Sequence, residues 1–141
     1  MDSVKLSDEM ESTSIPAVSY RSNKDGVITD IQNWHKIEEL YNLGKRDSIK
    51  VSLREFCNQF IHSFVFIISF TSRNGFGGAL VSSDHSRSKQ LLYFSIDDII
   101  KTINRVAKDC IRCISSKRDK VTGEMKVVKK SNNVQSSMLQ K

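Results

Sequence analysis

The sequence predicts an α+β domain in which helices flank a small three-stranded antiparallel β-meander, in the order α-α-β-β-β-α. Three observations lead there. Apolar residues recur at helical spacing in residues 31–43, 52–64 and 96–114. Between the second and third of these, the composition turns β-branched and aromatic in "FVFIISFT", "FGGALVSS" and "KQLLYFSI". Both ends lack apolar periodicity, so residues 1–26 read as a disordered acidic tail and residues 117–141 as a basic, largely flexible one. A single domain over residues 27–116 is the expected organisation.

Each element has its own signal. Asp30 is placed to cap a helix from Ile31 to about Leu43, with Ile31, Trp34, Ile37 and Tyr41 on one face and Gly44 at its end. Ser52 and Glu55 form a capping-box pattern, and Asp47 or Ser48 offers an earlier start. Leu53, Phe56, Phe60 and Phe64 then face a core. The Asn74-Gly75 pair predicts a tight turn between the first two strands, with Gly77 and Gly78 at a bulge. "DHSRS" separates the second strand from the third. Ser95 and Asp98 repeat the capping spacing, and Ile96, Ile99, Ile100, Ile103, Val106, Ala107, Cys110 and Ile114 draw an apolar stripe over five turns.

At 141 residues the chain has room for one good core. Its net charge of +6 favours an acidic partner, nucleic acid above all. The longest apolar run, Phe64 to Phe70, is far shorter than the roughly 20 residues of a membrane-spanning helix. With no signal peptide and an odd number of cysteines, a reduced cytoplasmic protein without membrane attachment is expected.

The stretch "SLREFCNQFIHSF" places Arg54, Asn58 and His62 at four-residue intervals beside Cys57. Positions four apart share one edge of a helix, here the border of an apolar face, where a polar group sits at the lip of a cleft or dimer seam. "REFCNQFIHS" resembles the signature helix of HEPN proteins, with Asn58 at the polar position and His62 at the histidine of "RNxxxH". The resemblance implies a helical bundle, a homodimer across paired helices, and a metal-independent RNase in which His62 moves protons, Arg54 stabilises phosphate charge and Asn58 supports them. Cys57 stands where that motif has arginine, and Arg54 lies one residue beyond the usual gap, so catalysis is not expected to survive.

Other motifs are weaker. Cys110 and Cys113 have C-x-x-C spacing without the further ligands that zinc needs, and both read as late residues of the last helix. "NGFGG" lacks the Lys-Ser/Thr pair of a phosphate loop, and His85 near Ser83 and Asp84 lacks a nucleophile elbow. No metal or cofactor is expected. Lys101, Arg105, Lys108 and Arg112, spaced by four, three and four, predict a positive ridge on the last helix, extended by Lys117 and Arg118. The expected function is a small HEPN-like accessory protein, non-catalytic, binding RNA or a protein partner in a bacterial or phage defence system. The alternatives are an active endoribonuclease of that type, or an immunity-like interaction module without a nucleic-acid role.

Overall fold

The computed structural model describes residues 6–23, 28–73 and 75–132. Its elements are α1 (Asp8–Glu11), β1 (Ser14–Arg21), α2 (Ile37–Leu40), β2 (Asp47–Ser52), α3 (Leu53–Ile61), β3 (Ser63–Phe70), β4 (Phe76–Ser83), β5 (Gln90–Ser95), α4 (Ile96–Lys108), β6 (Cys113–Arg118) and β7 (Met125–Ser131). They form two compact units. One runs from Ser14 to Thr102; the other comprises the described residues of Met1–Thr13 and Ile103–Lys141.

The first unit corrects the expected three-stranded meander. Its sheet has five antiparallel strands in the order β2-β1-β5-β4-β3. Two of them come from segments assigned otherwise: β1 from the supposed disordered tail, and β2 from the linker before α3. Alternation explains β1, because Ile15, Ala17 and Ser19 are buried while the residues between them are not. Pro16 disguises the strand, since proline cannot donate to a ladder. It is tolerated here because β1 pairs with β2 from Ser14 to Ser19 but with β5 only from Val18 onward. Pro16 therefore has a strand on one side alone.

α3 covers one face of this sheet. Ser52 caps it by accepting a hydrogen bond from the Glu55 amide at 3.1 Å. Leu53 and Phe56 are buried, and the rings of Phe56 and Phe60 lie 5.0 and 5.6 Å from that of Phe94 on β5. The strand register brings Ile15, Ala17, Leu92, Phe94, Ala79 and Val81 onto this same face. Gly78 leaves no room for a side chain, since a Cβ there would lie 2.2 Å from the Phe94 carbonyl oxygen.

The segment 29–43 closes part of the opposite face. Leu40, Tyr41, Val65 and Leu91 form its buried centre, with Trp34, Ile37 and Leu43 packed against it. The expected helix from Ile31 to Leu43 does not form. Asp30 does cap, accepting from the amides of Gln32 and Asn33, but the chain then makes only a turn and the single-turn α2. Backbone pairing wins: Asn42 N–H donates to Arg21 O and Asn23 N–H to Leu40 O, which requires extended backbone at Tyr41.

Ser95 caps α4, accepting from the Asp98 amide at 3.1 Å. The helix stops at Lys108 and not near residue 114. Arg112 N–H donates to Ser131 O, and Cys113 opens the hairpin β6–β7 in the second unit. That hairpin corrects the expected loose C-terminus as far as Asn132. Residues 133–141, 1–5 and 24–26 of the predicted tails, residue 27, and Asn74 of the predicted turn lie outside the described residues. None of the described helices is long and apolar enough to cross a membrane.

Burial separates two substitutions that the sequence treats alike. Phe94→Ala should lower stability by about 3–5 kcal/mol, because a fully buried ring is removed. Ile103, expected in the core, is 58% exposed, and Ile103→Ala should change stability by about 0.5 kcal/mol or less. Chemical denaturation of the two variants checks both values.

Candidate functional site

The polar stripe of α3 lies in water. Arg54, Asn58 and His62 are all exposed, and their side chains make no hydrogen bond or ion pair to any described residue. Cys57 is half-buried and forms no disulfide. His62 is the residue after the helix, engaged through its backbone: its N–H donates to Asn58 O and its carbonyl accepts from the Asp84 amide. Neither the cleft beside β1 and β5 nor the one at Met10 and Asp109 is lined by these side chains.

The buried polar residue of α3 is Gln59, which sequence reasoning passed over. Its Oε1 accepts from the Ser83 amide at 2.8 Å and from Ser86 Oγ at 3.0 Å, and its Nε2 donates to Glu55 Oε1. Ser86 Oγ also lies 3.1 Å from Ser82 Oγ and 2.9 Å from Ser83 Oγ. Ser82 Oγ donates onward to Gln90 O at 2.7 Å. The knot fixes the loop 84–89 against the sheet. Tyr41 adds a second tie by donating its hydroxyl to Arg87 O at 2.7 Å, and burial pushes its pKa up. The Arg87 guanidinium sits 4.0 Å over the Phe64 ring. Every group here is satisfied by another, and the serines hold the loop in place; His85 is exposed. No sequence signal marked Gln59: on a helical wheel it falls about 60° outside the arc of Leu53, Phe56 and Phe60, on its Phe56 side.

A shallow cleft of about 380 Å³ opens where β1 runs past the end of β5, lined by Pro16, Val18, Lys50, Tyr93, Ser95 and Asp98 among others. Tyr93 and Ser95 are already engaged, by Gly77 O and by the α4 cap. One lysine and one capping aspartate do not make a reactive pair. Among the described residues no cluster of three or more histidine, cysteine or acidic side chains is arranged for a metal ion.

The predicted basic residues are all exposed, but they do not share one helix. Lys101 lies in the first unit. Arg105 and Lys108 occupy the last turns of α4, Arg112 the connection, and Lys117 and Arg118 the strand β6. The second unit collects most of the charge. Residues 103–132 hold nine lysines and arginines against three carboxylates, a surplus equal to the net +6 of the whole chain.

The hairpin register sharpens this. Lys117 stands directly opposite Lys126, and Ser115 opposite Lys129. Like charges across a strand pair repel. Asp119 relieves one of them by taking the Lys126 ammonium at 2.7 Å. Lys117, Lys120 and Lys129 face no described carboxylate within ion-pair distance. At the base, Lys130 pairs with Asp8 and Glu11 on α1. Asp109 accepts from the amide and hydroxyl of Ser7, each at 2.7 Å, and from Asn132. Burial raises the Asp109 pKa, but these hydrogen bonds outweigh it and hold the carboxyl below the usual aspartate range. The acidic N-terminal segment thus serves as the hairpin's anchor, which no sequence signal announced.

Compared with protein-family models, curated proteins and solved structures, the chain matches none. Its class is that of an α+β protein with a five-stranded antiparallel sheet and a basic β-ribbon.

The polar knot and the exposed stripe of α3 should respond oppositely to substitution. Gln59→Ala should cost about 1–3 kcal/mol by stranding the Ser83 amide and the serine hydroxyls, whereas His62→Ala should melt within about 0.5 kcal/mol of the native protein; thermal melts distinguish them. Asp109, with a folded pKa below its unfolded value, stabilises fully above the ordinary aspartate range and loses that contribution as pH falls through the folded value. The protection factor of the Ser7 amide, its exchange rate relative to the intrinsic rate at the same pH, should fall in that window, and Asp109→Ala should show the lowered protection factor at neutral pH.

Proposed function

We propose that this protein is a non-catalytic nucleic-acid-binding protein whose β6–β7 ribbon lies along the phosphate backbone of a duplex. The observation that carries the reading is the lysine-rich register of that ribbon, solvent-exposed on both faces and with Lys117 set against Lys126. Asp119 already compensates Lys126, so a phosphate backbone supplies the counter-charge that Lys117 lacks. The dimensions agree, since a two-stranded ribbon fits the major groove of B-form DNA. Residues 103–132 contain no aromatic side chain, so base stacking of the kind single-strand binders use is not supplied. Arg105, Lys108 and Arg112 belong to the same basic unit and extend its supply of phosphate contacts. The likeness of α3 to the HEPN helix supports at most a relict site, because Arg54, Asn58 and His62 stand apart in solvent and Cys57 holds the arginine position.

Binding to a short duplex, measured against salt concentration, tests this. The logarithm of affinity should fall linearly with the logarithm of salt. Lys117→Ala combined with Lys129→Ala should reduce the slope by about two, since each lost phosphate contact removes about one. His62→Ala should leave affinity unchanged. Absence of duplex binding by the native protein at low salt would falsify the proposal, and RNA cleavage abolished by His62→Ala would replace it with the nuclease reading.

A further inference from the structure

The two edges of the five-stranded sheet are unlike. β2 is short and carries Asp47 and Lys50, with Asp47 bound to Arg21 at 3.4 Å. Charges of this kind keep an edge from pairing with another chain. β3, at the other edge, reads "SFVFIISF" over eight residues, without a charge, a proline or a glycine. Its neighbour β4 carries no charge either. β3 pairs with β4 on one side, and no described strand lies on the other.

Side-chain exposure marks the same edge. On the α3 side of the sheet, Phe66 and Ile68 are 45% and 44% exposed; Phe70 and Phe76, whose rings meet at 6.4 Å beyond them, are 67% and 41% exposed. α3 reaches Phe66 with Phe60 at 6.2 Å and leaves the rest uncovered. At 150–250 Å² per aromatic ring, these four side chains leave on the order of 400 Å² of apolar surface in water. That is about half of what one partner contributes to a standard interface, and backbone pairing adds the remainder along the strand.

We propose that β3 pairs antiparallel with β3 of a second copy of this chain, about a two-fold axis at Ile67, to make a continuous ten-stranded sheet. The strand is self-complementary about that residue. Phe66 then faces Ile68 of the second copy and Ile68 faces its Phe66, which gives two aromatic–aliphatic pairs on one face. Val65 faces Ser69. The register shifts in the β3–β4 ladder fall between Ser63 and Val65 and between Ser69 and Phe70, so Val65–Ser69 is the regular stretch available for pairing. Electrostatics does not oppose it, because the net positive charge resides in residues 103–132 and not in this hairpin. This dimer is independent of the nucleic-acid reading and differs from the helix-paired dimer that the α3 motif implies.

Sedimentation velocity of the full chain tests it. The native protein should sediment as a concentration-dependent dimer. Ile68→Lys puts a guarding charge at an exposed position and should keep a folded circular-dichroism spectrum while weakening the dimer by about 100-fold or more. Cysteine cross-linking fixes the register separately, in a chain whose Cys57, Cys110 and Cys113 are replaced by serine. Ile67→Cys sets two sulfurs opposite each other across the axis, where opposed Cα atoms are about 4.5–5.5 Å apart and a disulfide can close. Ser69→Cys faces Val65 of the second copy and should not cross-link. A native protein monomeric at every concentration, an undiminished dimer of folded Ile68→Lys, or cross-linking through Ser69→Cys in place of Ile67→Cys overturns the proposal. Where Ile68→Lys does not fold, the cross-linking pair decides alone.

Discussion

The first unit depends on one pairing, that of β1 between β2 and β5. Val18 opposite Tyr93 and Tyr20 opposite Leu91 tie the beginning of the chain to a strand some seventy residues later. Without β1, β5 would be an apolar edge and β2 would have no sheet to join. The pairing also seats Ile15 and Ala17 under α3, and its extension past Arg21 recruits Leu40 and Tyr41 as a lid on the other face. Contacts so distant in sequence carry a large loop-closure cost. They persist because two apolar layers form at once.

The same economy appears in the polar interior. Gln59, Ser82, Ser83 and Ser86 are buried together, and each finds partners within the group. Burying them singly would cost far more than any one bond returns. The result is a rigid loop 84–89 beside a helix whose polar side remains in water. Arg54, Asn58 and His62 thus stand on the wet side of α3, while the residues that carry the structure are an amide and three hydroxyls. Chemical interest and structural weight lie on opposite sides of one helix.

In the second unit the charges have a different logic. Carboxylates from the N-terminal segment neutralise the base of the hairpin through Lys130, and Asp109 binds Ser7 and Asn132. Toward the tip Asp119 compensates Lys126, and Lys117 and Lys120 have no described carboxylate within ion-pair distance. The base is neutralised, while Lys117, Lys120 and Lys129 keep their charge in solvent. The acidic residues that dilute the net charge in the composition are therefore what hold its basic part in place.

The sequence by itself determined α3 and its Ser52 cap, the Ser95 cap of α4, the strands β3, β4 and β5, and the basic character of the C-terminal third. These are local properties: a hydroxyl three residues before an amide, a β-branched run, a count of charges. It did not determine β1, which a proline and its neighbouring serines disguise, or the fate of residues 31–43, where backbone pairing with Arg21 and Asn23 overrode a helical pattern. The reach of α4 was also beyond it, since Cys110 and Ile114 continue the apolar stripe at helical spacing, and only the pairing of β6 with β7 ended the helix early. Nor did it show which polar residues of α3 face inward. Asn58 and Gln59 are neighbours with similar chemistry, and a rotation of one helical position, set by how Phe56 and Phe60 pack on Phe94, put one in water and the other at the centre of the polar knot.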